Sequence, residues 1–278
     1  MIDPARFMRR CVSLAKETVV GRPAPAVRKG AGGYADWVML AVLCFKEQRG
    51  ETYRSVVCVL QHMPRVCGSL DLNRGQLPDP STLCKAMDRL TMALFRSLLQ
   101  QTLSLYELGD VAAIDASGFD RVAASHRYAT QTDYRFQSLK TTILVDCETG
   151  AILDVHCATT KPHDTKIGWQ VLKRNTERIS TITADKGYDW DDLRQFLRGN
   201  GVRPVIKHRE FDSLDRAHNA RLDDETYHRR SVVETVFRVL KQRYGDRLAS
   251  RCWYRQFREF TLKCAVKNID GSFNTAPP

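Results

Sequence analysis

The feature that most restricts this chain is a change of period at Val111. After it come short runs rich in β-branched residues. Residues 111–119 (VAAIDASGF) read as a strand, and residues 139–146 (LKTTILVD) alternate as one. Glu148-Thr149-Gly150 reads as a hairpin turn, and residues 151–159 return as a third strand. From there the elements alternate: a helix over 164–178, a strand over 181–185, a helix over 190–197 and a strand over 202–206. Residues 207–224 are polar and read as loop, and a long helix is predicted over about 226–244. Hairpin-linked strands followed by alternating strand and helix predict an α/β domain with a mixed five-stranded sheet.

The residues before Val111 carry helical spacing. A short helix fits residues 1–18, and Trp37, Val38, Ala41 and Phe45 form one stripe of a helix over 34–48, ended by Gly50. Another fits residues 51–62, stopping near Pro64, and a loop with Gly68, Gly75 and Pro78 follows. A third starts at Pro80-Ser81 with Ser81 as N-cap and runs on the stripe Leu83, Met87, Leu90, Leu94 and Leu98. This all-helical N-terminal domain has the element order of a helix-turn-helix DNA reader, and equally that of a plain bundle. The Gly- and Pro-rich segment 21–33 is expected to be irregular, a linker or a basic arm. The division expected is a helical DNA-binding region over 1–105 and a catalytic domain over 106–278.

Charge narrows the partners. Lys and Arg number 43 against 32 Asp and Glu, a net charge of +11. Between His228 and Lys267 stand eleven Lys or Arg and only three acids, Glu234, Asp246 and Glu259. Such a tract is either a solvated helical face or a phosphate-contacting surface. No apolar run of about 18 residues occurs, and the N-terminus has no apolar signal stretch, so neither a membrane span nor secretion is expected. The nine cysteines are dispersed without a CxxC pair, which argues against a zinc ribbon or a disulfide framework and for buried thiols in a reducing cytoplasm.

Three acids stand out. Asp115 lies inside an apolar strand, where an unpaired carboxylate is costly and calls for a metal, a cation or several donors. Asp185 ends a strand just before Lys186-Gly187-Tyr188, where α/β sheets bind ligands. At 100° per residue Tyr227, Arg230, Glu234 and Lys241 form one polar line of the long helix, opposite Val233, Val236 and Leu240. The line is either a phosphate-and-cation site or a salt-bridged exposed face with Arg230 and Glu234 as an i, i+4 pair.

Tyr227, Arg230, Glu234 and Lys241 match, at all three spacings, a Tyr-(2)-Arg-(3)-Glu-(6)-Lys signature. With Ile114-Asp115-Ala116-Ser117-Gly118 and Asp185-Lys186-Gly187-Tyr188-Asp189, the chain resembles the DDE transposases of bacterial and archaeal insertion sequences, in the group related to insertion sequences four and five. The resemblance covers roughly residues 110–245. It implies an RNase H-like fold in which Asp115, Asp185 and Glu234 are catalytic and hold two Mg²⁺ ions, with Mn²⁺ as a substitute. It implies nicking at transposon ends, then attack of the freed 3′-hydroxyl on target DNA, in cut-and-paste transposition. Tyr227, Arg230 and Lys241, joined by Arg238 and Lys186, become the DNA-binding candidates. The implied partners are double-stranded DNA, as terminal inverted repeats and target, and a second or further copy of the chain. The implied location is the cytoplasm, at the nucleoid. Lys140, His163 and Asp164 also lie in stretches similar to the family's, with His163-Asp164 read as a helix start. Rival readings are an RNase H-like nuclease without strand transfer, a domesticated DNA-binding protein without catalysis, and a hydrolase of small phosphoesters, which the long basic C-terminal region disfavours.

Overall fold

A computed structural model describes residues 2–21, 23–26, 33–121, 138–160 and 162–275. They form two compact units, Met1–Tyr106 with Cys252–Pro278, and Glu107–Arg251.

The first unit is helical: α1 (Pro4–Thr18), α2 (Asp36–Arg49), α3 (Tyr53–Gln61), α4 (Pro64–Ser69), α5 (Pro80–Arg89) and α6 (Met92–Gln101). Gly50 ends α2 at φ 67°, a left-handed position that suits glycine. The helix before Pro64 ends at Gln61 as expected, but the segment that follows is not all loop: Pro64 occupies the first turn of α4, where its missing N–H has no partner to lose. The long third helix is two helices. Asp79, not Ser81, caps α5 by accepting the Ser81 N–H at 2.8 Å, and Thr91 caps α6 in its turn. Of segment 21–33, residues 22 and 27–32 lie outside the described residues, and an isolated bridge joins Ala26 to Tyr34.

The C-terminal helix, α12 (Trp253–Thr275), was expected with the catalytic domain but clusters with the helical unit. Its apolar face explains this: Phe260, Leu262, Ala265, Val266 and Ile269 are fully buried, and it packs on α2 and α6. Asn268 donates to Thr102 Oγ1 at 3.0 Å, and its carbonyl accepts from the Tyr106 hydroxyl. One basic residue of the C-terminal tract, Lys263, is thereby buried away from any phosphate-contacting surface, and Lys267 is half-buried. Lys263 is buried 3.7 Å from Glu259, and burial pulls the Lys267 ammonium down to about 8. Six of the nine free cysteines are buried, whereas Cys58 and Cys252 are exposed.

The second unit holds a mixed sheet. Its strands are β1 (Val111–Arg121), β2 (Leu139–Asp146), β3 (Ile152–Ala158), β4 (Thr181–Ala184) and β5 (Arg203–Ile206), in the order β3-β2-β1-β4-β5. The β3-β2-β1 meander is antiparallel, and β4 and β5 add in parallel. Two crossover helices, α7 (Asp164–Lys173) and α8 (Asp191–Gly199), precede β4 and β5. The segment after β5, expected to be loop, contains α9 (Ser213–Ala220), which opens on a reciprocal Asp212–Asp215 capping box. The expected helix over 226–244 is likewise two pieces, α10 (Asp224–His228) and α11 (Ser231–Tyr244), separated by a turn at Arg229-Arg230. After α11 a short strand, β6 (Arg247–Leu248), returns to pair in parallel with Asp120 and Arg121 of β1. No described helix is long and apolar enough to cross a membrane.

Candidate active site

The parallel register of β1 and β4 ends with Ile114 opposite Ala184. The next residue along each strand is an acid, Asp115 and Asp185. Neighbouring strands lie about 4.8 Å apart, so the two carboxyl-bearing positions stand side by side at the C-terminal end of β4. Asp185 leads into the short turn Lys186–Tyr188 without spending its side chain on a capping hydrogen bond. Asp115 is half-buried, while Asp185 and Glu234 are exposed.

Glu234 comes from the first turn of α11, which packs on β1 and β2 through buried Val233, Val236, Phe237 and Leu240. Glu234, Arg238 and Lys241 lie to one side of that buried face, at the edge of the contact, where Lys241 reaches Ser117 of β1. On β1 every second residue shares a face, so Asp115 and Ser117 point together. The result is an open cleft of about 450 Å³ lined by Asp115, Ser117, Glu234, Phe237, Arg238 and Lys241. Lys241 Nζ donates to Ser117 Oγ at 2.7 Å and lies 5.5 Å from the centre of the Phe119 ring.

The signature residues divide between two elements. Tyr227 belongs to α10, is buried, and carries cations on its ring: Lys207 Nζ at 4.3 Å and the Arg230 guanidinium at 5.4 Å. Arg230 stands in the turn before α11 and pairs with Glu234 at 2.7 Å. The sequence left open a salt-bridged i, i+4 pair or a cation site, and this contact is the pair. Lys186 reaches Glu210 at 3.2 Å. Of the DNA-binding candidates, Arg238 and Lys241 line the cleft; Tyr227, Arg230 and Lys186 do not.

Electrostatics tie the acids together. Asp115 is pushed from 3.8 up to about 6, first by burial; the Ala116 amide opposes this, and the charges of Glu234, Asp185 and Asp164 add to it. Burial also works against the charge of Arg230, yet the Tyr227 phenol and the carboxylates of Glu234 and Asp185 around it hold it above its usual range. Asp164 and Tyr188 therefore face the acids as well, although neither was assigned to the site from sequence. Three carboxylates are hard oxygen donors of the kind Mg²⁺ and Mn²⁺ take, so the donor chemistry fits. Among the described residues no three Asp, Glu, His or Cys side chains are gathered closely enough to grip an ion as they stand. Arg230 occupies Glu234 instead, and a bound cation would compete with it.

The raised Asp115 gives a pH prediction. A carboxyl group with a raised folded-state value binds its proton more tightly when folded. Its contribution favours folding below about pH 4 and is lost as pH climbs through about 6. In chelator, urea melts at pH 4.5 and 7 should therefore show Asp115→Asn gaining stability relative to the native chain as pH rises, by about 2 kcal/mol. Equal pH dependence of the two proteins would show that Asp115 is not held in this way.

Residues 107–269 match the family model described as a transposase DDE domain. No curated protein matches the chain. Among solved structures, the piggyBac transposase synaptic complex with hairpin DNA aligns with a TM-score of 0.52 at 11% identity, covering 99% of this chain and 75% of that one. The Mos1 transposase paired-end complex with left transposon end covers 86% of this chain and 96% of its own at 10% identity, with a TM-score of 0.25. The piggyBac likeness is one of fold, and with the family match it makes the sheet-bearing unit an RNase H-like domain preceded by N-terminal helices.

Proposed function

The chain belongs to the transposase DDE domain family, and we propose that it binds the ends of its own insertion sequence, hydrolyses a strand there with divalent metal, and joins the 3′-hydroxyl end to target DNA. The observation that carries this reading is the placement of Asp115, Asp185 and Glu234. One sits on β1, one directly after β4 and one on α11, and the charges of Asp185 and Glu234 both act on Asp115. When bound by these three carboxylates, two Mg²⁺ ions would activate the attacking oxygen and stabilise the leaving one. The chain's own work is to hold the phosphate. Arg238 and Lys241, on the same face of α11 as Glu234, flank the acid with cations, and the bond to Ser117 fixes Lys241 against β1. Assembly of two or more copies on paired ends is part of the proposal, supported by the synaptic complex in which the piggyBac transposase was solved.

The test is an assay of pre-cut transposon ends with supercoiled target in Mg²⁺. Joined products support the reading. Nicking without joining would leave a nuclease, and binding alone would leave a domesticated DNA-binding protein. Salt provides a further check. Each neutralised phosphate contributes about −0.9 to the log–log slope of affinity against salt, so end binding should fall steeply with ionic strength. A slope near zero would remove the phosphate-contacting role of the basic residues.

A further inference from the structure

A fourth carboxylate faces Asp115 and the turn that follows Asp185. Asp164 opens α7, but the helix is capped by its neighbour: the His163 ring accepts the Thr165 N–H at 3.4 Å. The Asp164 oxygens look two ways. Oδ1 is buried 2.6 Å from Lys140 Nζ, which also donates to the Pro162 carbonyl at 2.6 Å. Oδ2 faces the turn that follows Asp185, where a carbon added to Gly187 would stand 3.8 Å from it. Asp164 is also one of the charges acting on Asp115.

Tyr188 is an independent observation at the same place. Its side chain is 2% exposed and wedged against α7, so that a carbon added to Gly168 would lie 2.7 Å from the ring. Its hydroxyl is buried without a hydrogen-bond partner, and the charges that face it are Asp115, Asp164 and Asp185. Packing alone would be served by phenylalanine, which leaves no donor to satisfy. The hydroxyl makes sense as a donor aimed among carboxylates that hold something.

We propose that Asp164 is a further ligand of the cation site, a fourth carboxylate beside Asp115, Asp185 and Glu234, and that the Tyr188 hydroxyl donates into this oxygen cluster. The proposal rests on the transposase reading and deepens it. Four carboxylates balance the charge of two divalent ions. Lys140 on Asp164 and Arg230 on Glu234 are the side-chain cations with which such ions compete. The competing account is that Lys140–Asp164 is only a strut between β2 and α7.

Mn²⁺ binding to the full chain, followed by electron paramagnetic resonance of the free ion, separates the two. The native chain, Asp164→Asn, Lys140→Met and Asp115→Asn are compared, with cooperative melting as the check on folding. As a ligand, Asp164→Asn should weaken Mn²⁺ binding by at least about tenfold. Lys140→Met should bind Mn²⁺ more tightly than the native chain, because a competing cation is gone. Unchanged affinity in Asp164→Asn, or unchanged or weaker binding in Lys140→Met, overturns the proposal; loss in Asp115→Asn alone leaves the three-acid reading standing. Should Asp164→Asn fail to fold, Lys140→Met decides. A native chain that binds no Mn²⁺, or an Asp115→Asn variant that binds it normally, overturns the three-acid reading together with the fourth ligand.

Discussion

Asp115→Asn, Asp185→Asn and Glu234→Gln should each reduce single-turnover cleavage of transposon ends by at least about a thousandfold, roughly 4 kcal/mol of transition-state stabilisation. End binding should survive in all three. Each substitution keeps the shape of the side chain and deletes one anionic oxygen donor. The three come from different elements, so a folding defect shared by all of them is not expected. Asp115→Asn should be the more stable protein at neutral pH, because the native carboxylate is half-buried among other negative charges. Removing negative charge from a cleft that receives phosphate should, if anything, tighten DNA binding. The pattern expected is therefore lost chemistry with retained stability and affinity. Near-native cleavage in Mg²⁺ by any one of the three would show that the residue had been assigned wrongly. Ca²⁺, with looser coordination, should support end binding in the native chain without cleavage.

The second large effect concerns the cations around Glu234. Arg230→Ala and Lys241→Ala should slow cleavage of pre-bound ends about 30- to 1000-fold, equivalent to roughly 2–4 kcal/mol, if the two side chains hold the scissile phosphate. The structure offers a smaller alternative for Arg230. Its pairing with Glu234 at 2.7 Å joins a one-third-exposed guanidinium to a carboxylate 53% exposed. Such a pair contributes only about 0.3–0.5 kcal/mol to stability. Lys241 makes the cleaner test. It bonds to the Ser117 hydroxyl, not to Glu234, so its removal does not free a metal ligand from a competing cation. Unchanged cleavage in both variants, with a small loss of stability in Arg230→Ala, would leave Arg230 as a helix-stabilising partner and nothing more.

What could be read before folding was what depends on neighbours in sequence. Asp115 announced itself because a carboxylate in Ala112-Ala113-Ile114 needs a reason to be there. The face of α11 followed from helical geometry, and Val233, Val236 and Leu240 are indeed the buried side. The pairing of Asp115 with Asp185 followed only from the family resemblance and not from local pattern, because β1 and β4 are far apart in sequence and register is set by tertiary contact. Breaks in helices were missed for a different reason. The stripe from Leu83 to Leu98 stays in phase across Leu90-Thr91, and the line from Tyr227 to Lys241 runs through the turn at Arg229-Arg230, so periodicity alone saw continuous helices. α9 escaped because it buries none of its side chains, and its capping acids resemble an ordinary polar loop. Asp164 reads from sequence as a helix start, and its facing of Asp115 exists only once α7 is laid on β2, β3 and the turn after Asp185.

The strand β6 has a consequence for how this chain could change over time. Directly after α11, the backbone N–H of Asp120 on β1 bonds to the carbonyl of Asp246 at 2.9 Å, and β6 then pairs beyond it. The strand that carries Asp115 thus also moors the far end of the helix that carries Glu234. At the near end, the Tyr227 carbonyl accepts from Thr183 of β4 at 3.2 Å. With both ends tethered to the sheet, the distance from Asp115 to Glu234 owes little to residues 207–222, where Phe211 and Leu214 already stand out in solvent. Length added there costs only slowly growing loop entropy. That stretch is where a reporter domain could be spliced in, and where lineages of such chains are free to acquire whole new modules, without rebuilding the catalytic geometry.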